Sequence, residues 1–591
     1  MFGQGFERTR LEAMTRVQRH RGPDAEGTWF SPGGLAGLGH RRLSIIDLSE
    51  AGRQPMSDAS GRFTITFNGE IYNYLELRSE LAGDYSFRTK SDTEVLLAAY
   101  GKWGEACLDR LIGMFAFAIW DDQEQRAFAA RDRFGVKPLY LAEPQSGALW
   151  LASEIKALHV AGVAREPNAP VWAAYLRDGV YEHTSETFWR GVRQVPPGGL
   201  LTWSPAGGTR VSTWYDAAQA VNADGVDTRD DGAVAEELLA LLEDSVRLRF
   251  RADVPVGVCL SGGLDSSLLL GLVDRTQGAD SNVKTFTFYC GDAAYDETPW
   301  VEQMLARSKH PANFCLLTAS EIPELALRVQ AIQDEPFGGF PTLGMARVHE
   351  RAREEGVVVL LDGNGLDEGW AGYDYYARAE RVDASAGPVQ GSKSRATLPE
   401  TLAPEFAALG GKFSPPKPFE SALLNLQYRD LRYAKIPRGM RFADRVSMMF
   451  SRELREPFLD HRVIELGLRQ PSERKIRQGQ GKWLPRQIAA QILPDGIREA
   501  PKRPVQTPQR EWLRGPLRDW ATDCIEVALD GFGGVWLDRA EVLKAWADYQ
   551  REGSDNSFFV WQWVNMGLMS RLAVGPPPQT ADRQDRKIFN E

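Results

Sequence analysis

The chain has 591 residues and a formal net charge of −10, with a pI near 5.5. This length predicts two large domains, and the acidic balance argues against a nucleic-acid-binding protein, which would present a basic surface. No apolar run approaches the roughly 18–20 residues of a membrane span, so we expect neither a nucleic acid nor a membrane as partner. The five cysteines are scattered without a Cys-X-X-Cys pair, which predicts a reduced, cytoplasmic protein without a cysteine-based metal site.

Residues 1–210 are predicted to form a β-rich first domain, because apolar residues alternate and turn signals recur. In "RFTITFNGEIYNY" apolar residues stand at every second position, which predicts a strand that turns at Asn68-Gly69. A helix is predicted over "TEVLLAAYGKWG", after a polar start at Ser91-Asp92. The polar, Gly- and Asp-rich stretch further along is typical of a linker, which we place at residues 211–232.

Residues 233–574 are predicted to form an α/β second domain. The string "AVAEELLALLEDSVRLRF" indicates an amphipathic helix, and the apolar strings "VPVGVCL", "VKTFTFYC" and "GVVVLLDG" indicate buried strands. Strands that alternate with helices predict a doubly wound parallel sheet, which binds ligands at the carboxyl ends of its strands. Residues 575–591 are Pro-rich and then charged, so we expect a disordered tail.

The string "GVCLSGGLDSS" is the most informative stretch, because a strand leads through two glycines into a helix. Gly262 and Gly263 let the backbone approach a phosphate, and the helix N-terminus supplies amide donors. Ser261 and Ser266 add hydroxyl donors, and Asp265 is placed to hold Mg²⁺ beside the phosphates. Since no Gly-Lys-Ser/Thr follows, this is not a Walker loop. The alternative is a Gly-rich turn without a ligand, which two glycines alone would favour but the whole string does not.

A second strand end reads "VVVLLDGNGLDEGWAGY" and carries Asp362, Asp367 and Glu368 among glycines. In a doubly wound sheet this loop could face the first one, and Asp367 is then the natural second carboxylate for Mg²⁺, which takes one or two carboxylates beside phosphate oxygens. Near the C-terminus Lys502 lies in a Pro-constrained loop, where a lysine could stabilise charge at an acyl-phosphate centre. Taken alone, the segment with Asp362, Asp367 and Glu368 could equally be an acidic surface turn, and Lys502 could be an ordinary surface lysine.

The chain resembles the glutamine-dependent asparagine synthetase family, from "HRGPD" and "GHRRLSIIDLS" through "FNGEIYNY", "SDTEV" and "RDRFGVKPLY" to "LSGGLDSS" and "PFLDHR". The resemblance implies a class II glutamine amidotransferase domain, an αββα-type antiparallel sandwich of the N-terminal nucleophile hydrolase kind, followed by an ATP-pyrophosphatase domain. It implies that glutamine is hydrolysed in the first domain and that ammonia passes through an internal tunnel. In the second domain a carboxylate and ATP would give an acyl-adenylate and pyrophosphate, and ammonia would displace AMP to leave an amide. ATP and Mg²⁺ are the implied cofactors, and a homodimer is the implied assembly.

Residue roles follow from the resemblance, position by position. The residues expected to hold glutamine are Arg42, Asn68, Gly69, Glu70 and Asp92. A guanidinium suits the substrate carboxylate, acidic side chains suit its ammonium, and Asn68 with the Gly69 amide suits an oxyanion hole. The residues expected to bind ATP are Ser261, Gly262, Gly263, Asp265, Ser266, Phe288, Asp362 and Gly363. The expected metal ligands are Asp265 and Asp367, and Lys502 would steady the acyl-adenylate step.

The chain departs from the family pattern at its start. Family members begin Met-Cys-Gly-Ile-Ala-Gly, then an apolar residue, Phe and Gly, and their cysteine is both the nucleophile and, through its free α-amine, the base. Here Met1-Phe2-Gly3 matches the residues that follow that segment, and none of the first hundred residues is Cys. Because the rest of the glutamine pocket is intact, we expect the cysteine to lie upstream of Met1; the alternative is a domain that has lost its glutaminase activity.

A second departure lies in the loop Asp362-Gly363-Asn364-Gly365, where the family reads "SGDG" or "SGEG". By resemblance, Asn364 replaces an acid that helps to form the intermediate and accepts a proton from ammonia, and an amide cannot act as a base. Glu456 of "REPFLDHR" stands where a small apolar residue is usual. The departures leave three hypotheses: an asparagine synthetase, an amidotransferase for another carboxylate such as a sugar uronate or a secondary metabolite, or a non-catalytic scaffold. The intact ATP motifs favour an enzyme.

Overall fold

The structure, a computed structural model, describes residues 1–145, 147–279, 281–381, 395–501, 507–552, 554 and 556–574. Two predictions lie outside the described residues: the role of Lys502 and the disorder of the tail at 575–591. The predicted fold class is confirmed, since antiparallel sheets form the first part of the chain and a parallel sheet forms the second. None of the described helices has both the length and the apolarity that a membrane span requires.

Two layers of antiparallel strands build the first domain. The strands are β1 Ala25–Phe30, β2 Gly37–Arg42, β3 Met56–Ser57, β4 Phe63–Ile71, β5 Gly113–Asp121, β6 Arg126–Arg131, β7 Tyr140–Ala142, β8 Trp150–Ala152, β9 Val192–Gln194, β10 Gly199–Ser204 and β11 Gly208–Thr213. One layer has the order β11-β10-β6-β5-β4-β3, and the other contains the sheets β1-β2 and β8-β7-β9. Bridges from Phe2 to Ala36 and to Leu149 place the start of the chain between β2 and β8.

Helices cover the outer faces of these two layers. They are α1 Arg8–Val17, α2 Tyr74–Leu81, α3 Asp92–Trp103, α4 Cys107–Arg110 and α5 Ile155–Val160. Two further helices, α6 Ala169–Asp178 and α7 Ala217–Asp224, pack against helices of the second domain. Helix α3 packs Leu96 on the six-stranded sheet, and α1 packs Leu11 on the other layer. Between the layers Phe2, Trp120 and Trp203 form an apolar core. The resulting order of helix, sheet, sheet and helix is the αββα sandwich that the resemblance implies.

A five-stranded parallel sheet forms the centre of the second domain. Its strands are β12 Val256–Cys259, β13 Lys284–Tyr289, β14 Ala312–Leu316, β15 Val359–Leu361 and β16 Glu453–Arg455, in the order β14-β13-β12-β15-β16. The helices are α8 Asp231–Arg249, α9 Leu264–Gln277, α10 Thr298–Leu305, α11 Ile322–Gln333, α12 Phe340–Glu354, α13 Leu366–Gly369, α14 Pro404–Ala407, α15 Ala422–Arg429, α16 Lys435–Met449, α17 His461–Leu468, α18 Ser472–Lys475, α19 Trp483–Ala489, α20 Asp495–Arg498, α21 Gln509–Arg514, α22 Arg518–Phe532, α23 Arg539–Glu552 and α24 Phe558–Val574. Apolar helix faces cover both sides of this sheet, as in a doubly wound domain.

A buried network of charges joins the two domains. The Arg21 guanidinium of the first domain donates to Glu154 at 3.0 Å and to Asp444 of α16 at 2.8 and 3.0 Å. The neighbouring Arg445 lies 3.4 Å from Glu154. A buried charge is tolerated only where an opposite charge and hydrogen bonds compensate it. The network therefore fixes helix α16 of the second domain against the first.

One local prediction differs from the structure. The predicted turn at Asn68-Gly69 is wrong, because β4 continues to Ile71 and Gly69 pairs with Phe115 of β5. Gly69 is required for this pairing: a Cβ atom there would lie 2.0 Å from the carbonyl oxygen of Met114. The segment assigned as the linker, residues 211–232, contains the end of β11, all of α7 and the start of α8.

Candidate active sites

The residues predicted to bind glutamine line a single cavity of about 170 Å³ in the first domain. All five of them are there: Arg42, Asn68, Gly69, Glu70 and Asp92. They come from the end of β2, the middle of β4 and the first turn of α3. Three separate elements therefore bring a cation, an amide and two carboxylates to one place.

Hydrogen bonds hold the two polar ends of this cavity. The Arg42 guanidinium donates to the carbonyl oxygens of Ser49 at 2.8 Å and Ile46 at 3.3 Å, which fixes its direction. The Asn68 amide donates to Ser153 at 3.5 Å across the cavity. A held guanidinium and a side-chain amide are the donors that a carboxylate and a developing oxyanion need.

The two acidic residues of the cavity are buried, and this changes their protonation. Burial raises the pKa of Asp92 to about 6, even though the backbone N–H of Ile71 donates to it at 3.0 Å. Burial and the nearby Asp92 raise the pKa of Glu70, which Arg455 of the second domain opposes from 3.4 Å. A positively charged ligand, such as the ammonium of an amino acid, stabilises the ionised form of carboxylates that are buried in this way.

The second domain supplies part of the wall of the glutamine cavity. Met448 at the end of α16 and Glu453 of β16 line it, together with Arg21 of the first domain. No sequence pattern predicted a role for these three residues. Arg21 lies in the family motif "HRGPD", so the sequence could have indicated its place in the site. No local pattern indicates that Met448 or Glu453 belongs there.

None of the five cysteines lines the glutamine cavity as the described residues define it. The start of the chain approaches it along β2: the buried Met1 amine donates to the carbonyl oxygen of Gly37 at 2.8 Å. In the same antiparallel register, a residue directly before Met1 would lie opposite Leu38 of β2 and Leu151 of β8. The residue before that one would lie opposite Gly39 of β2 and Ala152 of β8. Gly39, Leu151 and Ala152 all line the cavity.

Glutamine binding is expected to weaken as the pH falls through about 6, because the predicted role of Asp92, to hold the substrate ammonium, requires an ionised carboxylate. Below that pH the neutral carboxyl group loses this attraction, and affinity should fall by up to about tenfold per pH unit. Calorimetric titration with glutamine between pH 5 and pH 8 measures the effect. The Asp92→Asn variant should bind weakly at every pH, while the exposed-site control Asp84→Asn should behave like the parent. A full pH dependence in Asp92→Asn would contradict the assignment.

A larger cavity of about 670 Å³ lies at the carboxyl edge of the parallel sheet. Seven of the eight residues predicted to bind ATP line it: Ser261, Gly262, Gly263, Asp265, Ser266, Asp362 and Gly363. Asn364 and Asp367 line it as well. Cavities of about 300–1,000 Å³ are typical of ligand sites, and the position agrees with the rule for parallel sheets.

The loop between β12 and α9 has the shape of a phosphate cradle. Gly262 adopts a φ of +69°, and a Cβ atom there would lie 2.9 Å from the Cβ of Trp300. The Ser261 backbone N–H donates to the Ser266 hydroxyl at 3.1 Å, which closes the loop at the start of α9. Gly363 brings the second loop against the first, since a Cβ atom on Gly363 would lie 3.2 Å from the Cβ of Asp265.

Two carboxylates and one lysine converge between these loops. Lys482 Nζ donates to both oxygens of Asp265 at 2.6 and 2.5 Å and lies 2.5 Å from Asp367 Oδ1. Gly372 makes room for them, because a Cβ atom there would lie 2.0 Å from Asp367 Oδ1 and 2.2 Å from Lys482 Cε. The donor set fits Mg²⁺, which takes one or two carboxylates together with phosphate oxygens. Sequence reasoning missed Lys482. The glycines of "GQGKW" indicate an unusual backbone conformation at this place, and Lys482 itself has a φ of +58°.

One predicted ATP residue lies elsewhere. Phe288 is at the carboxyl end of β13 but does not line the cavity; its ring packs against Gly344 of α12, where a Cβ atom would lie 2.9 Å from the ring. The same parallel edge carries Glu456, directly after β16, behind Asn364. The structure thus brings together the two loops and the carboxylates, and leaves Phe288 in the packing beside them.

Comparison with known proteins agrees with this two-site architecture. Residues 2–215 match the family described as glutamine amidotransferase domain, and residues 237–572 match the family described as asparagine synthase. The chain belongs to the glutamine-dependent asparagine synthetase family. The predicted family membership is therefore confirmed, and the chain is an asparagine synthetase-like ligase with a glutamine amidotransferase domain and an asparagine synthase domain.

Two relatives of this family member extend over almost its whole length. It is 31% identical to asparagine synthetase [glutamine-hydrolyzing] 1 of Bacillus subtilis (strain 168), with 98% of this chain and 96% of that protein covered. It is also 31% identical to the putative asparagine synthetase [glutamine-hydrolyzing] of Mycobacterium tuberculosis (strain ATCC 25618 / H37Rv), with 95% and 94% covered. A partial relative is amidase chry2 of Gibberella zeae, 33% identical over 64% of this chain and 57% of that protein.

Proposed function

We propose that this asparagine synthetase-like enzyme converts aspartate, ATP and ammonia to asparagine, AMP and pyrophosphate. The observation that carries the proposal is the convergence of Asp265, Asp367 and Lys482 between two glycine-rich loops at one sheet edge. Such a site holds a triphosphate and places a cation beside it, which a scaffold protein would not need. Family membership supports the same reaction.

Each part of the proposed ATP site has a chemical task. The backbone of Gly262 and Gly263 and the N-terminus of α9 would bind the β- and γ-phosphates. Asp265 and Asp367 would hold Mg²⁺, which, when bound, neutralises phosphate charge. A carboxylate oxygen of aspartate attacks the α-phosphorus, the bond to the bridging oxygen breaks, and pyrophosphate leaves with that electron pair. Lys482 would stabilise the negative charge that develops in this step.

The first cavity would supply the nitrogen. Arg42 would bind the α-carboxylate of glutamine, Asp92 and Glu70 would bind its ammonium, and Asn68 with the Gly69 amide would stabilise the oxyanion. Ammonia released there would reach the second cavity inside the molecule, and there its nitrogen attacks the acyl carbon while AMP leaves. With no thiol in the glutamine cavity of the described chain, free ammonia is the nitrogen source to use in a first assay.

We further propose Mg²⁺ as the metal, the cytoplasm as the compartment and a homodimer as the assembly. All five cysteines are free thiols, and four of them are buried, which suits a reducing compartment. The homodimer is carried by family membership alone, and analytical ultracentrifugation of the purified protein tests it directly.

Pyrophosphate release with ATP, Mg²⁺, ammonia and a panel of carboxylates tests the proposed reaction. The panel contains aspartate, glutamate, a uronate sugar and a small aryl carboxylate. We expect release with aspartate, together with equimolar asparagine and AMP. Release with another acid alone would contradict the choice of aspartate, and no release with any acid would contradict an enzymatic function.

A further inference from the structure

Two side chains of unusual type for this family touch each other at the carboxyl edge of the sheet. By the resemblance described above, Asn364 stands where the family carries an acid, and Glu456 stands where a small apolar residue is usual. Asn364 follows β15, and Glu456 comes directly after β16, which pairs in parallel with β15. The Asn364 side chain lies beside the Glu456 carboxyl group and donates from its amide nitrogen to Asp362 at 3.0 Å. Relative to the family pattern, a carboxyl group has moved to the neighbouring strand.

The Glu456 carboxyl group is buried but not fully satisfied. The residue is 3% exposed. Within the described part of the chain, its Oε2 atom completes no hydrogen bond of ordinary geometry. A buried acceptor without a donor is unfavourable and is rare in folded proteins. Such an atom beside a reaction site is a binding point for a small hydrogen-bond donor, and ammonia is one.

Two small cavities meet at Glu456. One of about 20 Å³ also touches Tyr72 and Met114 of the first domain, and one of about 10 Å³ also touches Lys137 of the first domain. Roughly 10–15 Å³ is enough for one water, and ammonia is similar in size. On the other side, Asn364 lines the ATP cavity. Glu456 therefore lies between the first domain and the cavity in which the amide would form.

The charges around Glu456 favour a carboxyl group that can take up a proton. Burial, and then Asp362, raise its pKa well above the ordinary value, while the Asn364 side chain, Lys137 and Arg249 lower it. The other titratable or charged groups that face it across the two cavities are Tyr72, Asp132, Arg133, Asp444, Asp460 and His461. A raised pKa makes the ionised form of a carboxylate a stronger base than an ordinary carboxylate.

We propose that Glu456 accepts the proton in the amide-forming step and thereby takes over the task of the acid that the family carries at position 364. The inference rests on the proposed function. The nitrogen of ammonia attacks the carbonyl carbon of the acyl-adenylate, and the new carbon–nitrogen bond leaves a positive charge on nitrogen. Glu456 takes one N–H proton, the carbon–oxygen bond to AMP breaks, and AMP leaves with that electron pair. Asn364, held by Asp362 beside the carboxylate, positions it.

The Glu456→Gln variant separates the amide-forming step from adenylation. We expect aspartate-dependent exchange of pyrophosphate into ATP, measured without ammonia, to stay within about threefold of the parent. Asparagine formation from saturating ammonia should fall by about 10²-fold or more, the usual contribution of a general base. The matched control is Glu465→Gln, which changes a carboxyl group that accepts from the Tyr215 hydroxyl at 2.9 Å on α17. It should leave both rates unchanged.

A double variant tests the same inference from the opposite direction. Asn364→Glu combined with Glu456→Val restores the family's pair of residue types and should recover asparagine formation, whereas Glu456→Val alone should not. This comparison also decides the matter if Glu456→Gln folds poorly. Equal losses of exchange and asparagine formation in Glu456→Gln, or no loss in either, would overturn the role of Glu456. Absence of exchange in the parent protein would instead contradict the proposed function itself.

Discussion

Replacing Lys482 by methionine is expected to reduce aspartate-dependent pyrophosphate release by about 10³-fold, the cost of removing one strong electrostatic donor at a reacting centre. Its ammonium lies within 2.6 Å of Asp265 and 2.5 Å of Asp367, and its side chain is 3% exposed. Methionine keeps the length of the side chain but removes the ammonium that pairs with the two carboxylates. The loss should therefore appear in kcat for adenylation, measured by pyrophosphate release at saturating ATP.

The control for this prediction is Lys475→Met, which removes another buried lysine. Burial lowers the pKa of Lys475 to about 7, so the protein already holds it partly neutral, and its partners are Gln427 and the carbonyl of Leu468. Some loss of thermal stability is expected there, with adenylation per folded molecule kept. If Lys482→Met released pyrophosphate as fast as this control, the role given to Lys482 would be wrong.

Placing Cys-Gly-Ile-Ala-Gly directly before Met1 is expected to create glutamine hydrolysis. The bridges of Phe2 to Ala36 and Leu149 set an antiparallel register, and its continuation runs along β2 toward Arg42, beside the glutamine cavity. The added cysteine would then supply both a thiol and a free α-amine. Glutamate release from glutamine should rise by on the order of 10³-fold or more over the chain that begins at Met1. The reason is that most of the rate enhancement of a covalent mechanism is lost when the nucleophile is absent.

The matched control carries Ser-Gly-Ile-Ala-Gly at the same place. It should fold and bind glutamine equally well but hydrolyse it slowly, and both proteins should make asparagine from free ammonia at equal rates. A cysteine version that releases no more glutamate than the serine version would contradict the proposed glutamine site. Glutamine hydrolysis by the chain without any addition would contradict it too, since no cysteine of the described chain lines the cavity.

Sequence reasoning succeeded where a function depends on short-range pattern. The strand, glycine loop and helix at 256–277 follow from apolar residues, two glycines and a polar helix start. The helix at Asp92–Trp103 follows from its cap, since Ser91 accepts from the backbone N–H of Thr93. The two loops could be expected at one sheet edge because parallel strands end together.

The features that sequence reasoning missed depend on contacts between distant residues. Lys482 meets Asp265 across 217 positions of the chain, and no local pattern reports that pairing. The dipeptide Asn68-Gly69 is typical of a turn, but pairing with β5 keeps its backbone extended. The glycine is needed there because the neighbouring strand comes too close for a side chain. Glu453 reaches the glutamine cavity only because the second domain packs against the first.

The most direct test of the acyl-adenylate mechanism uses aspartate labelled with oxygen-18 in its β-carboxylate. The labelled acid is turned over with ATP, Mg²⁺ and ammonia, and the AMP is analysed by mass spectrometry. The mechanism predicts one oxygen-18 atom in AMP for each asparagine formed, because the attacking carboxylate oxygen leaves with AMP. Unlabelled AMP, or label in inorganic phosphate instead, would contradict it.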